Sequence, residues 1–114
     1  VALTENPNAP GNNGETPIHW AARNGHTDIV KILAPLTGNP NAPNEFRETP
    51  IHFAALNGHT EIVRILAPTT KNPNAPDEVE KTPIYWAAFE GHTEIVRILA
   101  PLTDNPNAPE KKEK

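Results

Sequence analysis

The sequence predicts an all-α solenoid of repeated turn–helix–loop–helix units, on three observations. A block recurs at a spacing of 33 residues: TPIHWAARNGHTDIVKILAP from Thr16, TPIHFAALNGHTEIVRILAP from Thr49 and TPIYWAAFEGHTEIVRILAP from Thr82. A period of that size marks units that bury their apolar faces by stacking on their neighbours. Each block opens on Thr-Pro, a hydroxyl that caps a helix followed by a ring whose fixed φ suits the first helical position. Most of the 14 prolines fall in two fixed contexts, TPI and NPNAP, so they punctuate a period rather than mark low complexity.

Each element follows in order. Thr16, Thr49 and Thr82 cap a first helix, in which Ile18, Ala21, Ala22 and their copies give an apolar face small enough for close approach. Gly25, Gly58 and Gly91 end it, where a left-handed residue is needed. Thr27, Thr60 and Thr93 are expected to cap a second helix, with Asp28, Glu61 and Glu94 in its first turn, where the helix dipole favours anions. Ile29, Val30, Ile32 and Leu33 form its apolar stripe, and Asp28–Lys31, Glu61–Arg64 and Glu94–Arg97 are spaced to pair. Ala34-Pro35 and its copies break that helix, and NPNAP is expected to run as an extended connector.

With TPI, AA, GH and IV in register in every block, the chain resembles the ankyrin repeats over nearly its whole length. The resemblance implies an ankyrin-like solenoid in which the variable turns project as β-turn fingers. It also implies that finger tips and first helices line a concave side used to bind proteins, and that His26, His59 and His92 bond backbone between units. The expected division is the tail of a truncated unit at 1–10, units at 11–43, 44–76 and 77–109, and a charged tail at 110–114. No unit has the polar outer face of a cap, so both ends are expected to expose apolar surface and to allow weak self-association.

Composition excludes several classes. There is no Cys, hence no disulfide framework or Cys-based zinc site. A net charge of −4 argues against a nucleic-acid partner. No apolar run reaches a membrane span, and VALTENP lacks the basic start and apolar stretch of a signal peptide. No cofactor is expected. The histidines of GHT are held apart by the repeat, and His19 and His52, with Tyr85 in the same slot, suit first-helix packing. The finger acids Glu45, Glu48, Glu78 and Glu80 could pair or bind calcium only in a cleft or wrapping loop, which a projecting turn does not supply, so no enzyme is expected.

Variation is concentrated where a binding surface would lie. Residues 16–43 and 49–76 match at 22 of 28 positions, as do 49–76 and 82–109, whereas the turns GNNGE (11–15), NEFRE (44–48) and DEVEK (77–81) barely match. The first unit offers Asn12, Asn13, Glu15, Arg23 and Asn24, read as ordinary surface residues. The second and third offer Phe46, Leu56, Val79 and Phe89, with Phe53 and Trp86 beneath them. Glu45, Glu48, Asp77, Glu78, Glu80 and Glu90 form the expected rim, with Arg47 and Lys81 among them. An apolar centre with a charged edge suits one protein partner with a basic border. The varied positions resemble those diversified in designed ankyrin repeat libraries, so the chain looks engineered, as a binder or as a scaffold without a target.

Overall fold

The structure, a computed structural model, describes residues 12–102. Turn, helix, loop and helix succeed one another three times. The first unit holds the turn Asn12–Gly14, α1 (Pro17–Asn24) and α2 (Thr27–Leu33); the second, α3 (Pro50–Asn57) and α4 (Thr60–Leu66); the third, α5 (Pro83–Phe89) and α6 (Thr93–Leu99). Each second helix ends in a 3-10 turn around its proline: Ala34–Leu36, Ala67–Thr69 and Ala100–Leu102. No described residue lies in a strand, so this is an all-α ankyrin-like stack.

The Thr-Pro starts behave as their chemistry requires. Thr16 Oγ1 accepts from the His19 backbone N–H, and His19 Nδ1 accepts from the Thr16 N–H at 2.9 Å, a reciprocal capping box. Thr49 and His52 repeat it at 3.0 Å. Thr82 makes only the first half, accepting from the Tyr85 N–H at 3.1 Å, because a phenol has no ring nitrogen at that place. α5 also ends one position earlier in its unit than α1 and α3.

α1, α3 and α5 pack side by side in one layer, and α2, α4 and α6 in a second behind it. Ala21, Ala22, Ala54, Ala55 and Ala87 are buried where the first helices meet, and Ile18, Ile51, Ile62, Val63, Leu66, Ile95 and Leu99 fill the space between the layers. Each fully buried large aliphatic is worth about 1.5–3 kcal/mol, so the aliphatics carry the fold. α2 buries only Val30 fully, and Ile29 and Ile32 of its expected stripe lie exposed.

Three expectations need correction. Thr27, Thr60 and Thr93 are the first helical residues rather than caps; His26, His59 and His92 hold the cap position and make no side-chain cap bond. The reason is the tight Gly-His turn. The Thr27 N–H already bonds the Gly25 carbonyl at 3.0 Å, so the helix starts one residue early. Secondly, Glu61–Arg64 and Glu94–Arg97 approach to 3.9 and 3.6 Å, but Asp28 and Lys31 form no such pair. Thirdly, NPNAP is not simply extended. Ala42 N–H bonds the Asn39 carbonyl at 3.1 Å, closing a turn that buries Pro40 and Asn41, and Asn41 Oδ1 accepts from the Ile51 N–H at 3.1 Å. The repeated connector is thus a packed part of the stack at 39–43 and 72–76.

Candidate interaction surface

The geometry of the fingers begins with one backbone angle. Gly14, Arg47 and Glu80 hold the same place in the three turns, with φ of 75°, 60° and 66°. A side chain with a Cβ is penalised there by about 1 kcal/mol, so something must hold the second and third turns in shape. Asn44 and Asp77 do so. Asn44 Oδ1 accepts from the N–H groups of Phe46 and Glu48 at 2.8 and 2.9 Å, and Asp77 Oδ1 from those of Val79 and Lys81 at 3.0 and 2.9 Å. The backbone closes the same hairpins, Arg47 N–H to the Asn44 carbonyl and Glu80 N–H to that of Asp77, each at 3.0 Å. Both Asx side chains are buried. Asp77 is therefore an internal acceptor and not part of the rim, a correction to its expected place. Asn or Asp at the start of a turn is a legible signal for this arrangement.

Successive fingers are hooked together. The Glu45 N–H bonds the Asn13 carbonyl at 2.8 Å, and the Glu78 N–H bonds that of Phe46 at 2.9 Å. Phe46 and Val79 thereby sit on adjacent tips, 38% and 58% exposed. Glu45, Arg47 and Glu78 are exposed beside them, and Glu80 and Lys81 half-buried. Arg47 Nη2 reaches the Asp77 carbonyl at 3.4 Å, so its long side chain also ties one finger to the next. Glu48 is half-buried and accepts from Asn44 Nδ2 at 2.9 Å.

The first helices carry the rest of the predicted set. Phe89 is 67% exposed and stacks on Tyr85, the ring centroids 6.2 Å apart and the planes at 11°. Trp86 meets both rings edge-on, at 5.1 Å from Tyr85 and 6.0 Å from Phe89, and its indole N–H reaches Asp77 Oδ2 at 3.4 Å. Lys81 Nζ lies 4.7 Å from the Tyr85 ring centre, a cation over a π face. Tyr85 thus belongs to the surface aromatic cluster, which its reading as a packing residue missed; the loss of imidazole at that slot was the available clue. Leu56 is half-buried and Glu90 exposed.

Phe53 is placed differently. The Arg23 guanidinium lies over it at 4.1 Å and over Trp20 at 4.4 Å, while binding Glu15 through Nη1 at 3.3 Å and Nη2 at 2.9 Å. Glu15 is buried and also accepts from Asn44 Nδ2 at 3.2 Å. Neither Glu15 nor Arg23 is the ordinary surface residue expected. Together they close the first unit over Phe53, whereas Leu56 and Phe89, in the place of Arg23, leave the second and third units apolar.

The histidines serve the scaffold. His59 Nε2 lies 3.1 Å from the Arg23 carbonyl and His92 Nε2 3.0 Å from that of Leu56, each bridging to the preceding unit. His19 and His52 reach forward instead, Nε2 to the carbonyls of Glu48 and Lys81 at 2.9 and 3.0 Å. Burial pushes the pKa of both below the usual 6.5. The neutral ring suits the site, because Nδ1 must accept from the threonine N–H while Nε2–H donates. No described helix is long and apolar enough to cross a membrane.

Comparison with known families agrees with this architecture. The model of the family described as Ankyrin repeats (3 copies) matches residues 2–77 and again 35–110. No curated protein matches the chain significantly.

Proposed function

Because the chain belongs to the ankyrin repeat family, whose members generally serve as protein-interaction modules, we propose that it binds a partner protein through the finger tips and first helices of its second and third units. One observation carries this reading. Phe46, Val79 and Phe89 stand exposed at positions where the first unit has Asn13 and Arg23, so at these places the second and third units carry apolar side chains and the first carries polar ones. Large exposed apolar side chains grouped together are the usual anchors of an interface. Glu45, Glu78 and Glu90 edge them, which favours a partner with an apolar centre and a basic border. The rigid, hooked fingers lose little entropy on docking.

Nothing in this arrangement calls for a catalytic role. The near-copied framework beside diversified tips suits an engineered binder. A scaffold made without a target is the second reading, favoured by the same near-identity of the frameworks. The two are separated by capturing a partner from a broad protein panel and measuring its affinity for Phe46→Ala and Phe89→Ala. The binder reading expects a loss of about 1–3 kcal/mol for each, with unchanged unfolding midpoints. Affinity that survives both truncations moves the binding site elsewhere, and midpoints that fall sharply make both rings structural.

A further inference from the structure

We infer that the partner protein docks an arginine on the second unit, its guanidinium lying over Leu56 as that of Arg23 lies in the first unit. The first unit shows how this fold holds such a group. The Arg23 guanidinium lies 4.4 Å from the Trp20 ring centre and 4.1 Å from that of Phe53, and it forks onto the two Glu15 oxygens at 3.3 and 2.9 Å. Aromatic faces beside a carboxylate suit a flat, forked cation better than a hydrated point charge.

The same setting recurs one unit on. Phe53 and Trp86 take the register places of Trp20 and Phe53, and Glu48 takes that of Glu15. All three are half-buried, so a docking side chain can reach them. Only the cation is changed: Leu56 stands where Arg23 stood and brings no charge. The acid is also strengthened. Asn44, whose Nδ2 bonds Glu15 at 3.2 Å, becomes Asp77 in the next turn, so a carboxylate replaces an amide beside Glu48's register place. Asp77 is buried, and its Oδ2 lies 3.4 Å from the Trp86 indole nitrogen, at one wall of the setting. Arg47, next to Glu48 in sequence, turns its guanidinium to the Asp77 carbonyl instead. Two acids among aromatic rings, one of them buried, gain most from a charge-assisted partner. Every residue of this place lies between the second and third units.

The inference rests on the binding role proposed for this surface, and adds one arginine to its apolar anchors. The place is tested first without a partner. Leu56→Arg writes the first unit's cation into the second, and the unfolding midpoint is expected to hold or rise. Glu48→Gln should then lower the midpoint more in Leu56→Arg than in the parent, the excess measuring the new pair. A sharp fall on Leu56→Arg, or no such excess, overturns the inference. The partner side is tested by panning a displayed library of random short peptides on the full chain. Captured peptides are expected to share an arginine. Its replacement by lysine should weaken binding about tenfold or more on the parent chain, and less on Glu48→Gln; Leu56→Arg should lose the peptides. Peptides without arginine, an arginine that lysine replaces at no loss, or undiminished binding to Leu56→Arg overturn the inference. If such peptides still need Phe46 and Phe89, the binding surface stands without the arginine. If arginine-dependent binding survives Phe46→Ala and Phe89→Ala, the wider surface fails and the arginine place stands. A library that yields no binder overturns both.

Discussion

Arg47 and Glu80 occupy left-handed backbone that Gly14 fills in the first unit. Their side chains bring a local cost of about 1 kcal/mol, and the Asx acceptors Asn44 and Asp77 hold the turns against it. Glu80→Gly should therefore raise the thermal midpoint, by the equivalent of up to about 1 kcal/mol, since Glu80 makes no bond to a neighbouring side chain. Arg47→Gly should gain less, because it also gives up the reach to the Asp77 carbonyl. If the fingers were varied for a partner, affinity should fall in both variants while stability holds or rises. Unchanged affinity in both would make these tips incidental. That Phe-Arg could replace Asn-Gly at all was not legible from turn propensity alone. The explanation lies two and three residues upstream, in an Asn whose side chain bonds two backbone N–H groups, and it becomes visible only when the turn is seen as a whole.

At the scale of the helix, the Thr-Pro-Ile-His starts tie stability to pH. His19 and His52 are held neutral by burial, with pKa values below the usual 6.5. Between the lowered and the usual value the unfolded chain binds more protons than the folded one, so stability rises with pH in that window. The contribution is complete above about pH 6.5 and is lost as pH falls through the window toward the lowered values. Urea midpoints should be lower at about pH 5 than at about pH 7.5, and His52→Gln, which cannot titrate, should flatten part of that dependence. Equal slopes in the parent and the variant would remove His52 from the account. The helices themselves were readable, because caps, glycines and apolar spacing all point one way. The boundary of each second helix was not, since a threonine after Gly-His looks like a cap until the Thr27 N–H is found bonded to Gly25.

Across the whole molecule, repetition lets one position be compared in three settings. Gly58 and Gly91 have almost the same φ, 80° and 78°, so Ala at either meets the same backbone cost. Only Gly58 is also packed against an imidazole. Gly58→Ala should lower the unfolding midpoint by clearly more than Gly91→Ala, the difference reporting the packing of one unit on the next; equal losses would mean that the His92 ring moves aside freely. The candidate surface was partly legible at this scale. Phe46, Val79 and Phe89 stood out because their register-mates in the first unit are polar. The closure of Phe53 beneath Arg23 was hidden, because it depends on which neighbour a side chain turns toward rather than on its type, and for Tyr85 the one clue was the missing imidazole.

The chain carries two indoles and no others, one in the first unit and one in the third, with Phe53 in the slot between. Trp20 lies against the Arg23 guanidinium, and Trp86 sits edge-on to two aromatic rings. The second unit shows that the slot accepts phenylalanine, so either indole can be silenced with a side chain the framework already tolerates. What remains is a built-in fluorophore with a known address, one beside a cation and the other in an aromatic cluster. Emission can therefore be followed from one end of the array or the other without any label, and loss of order can be timed along its length.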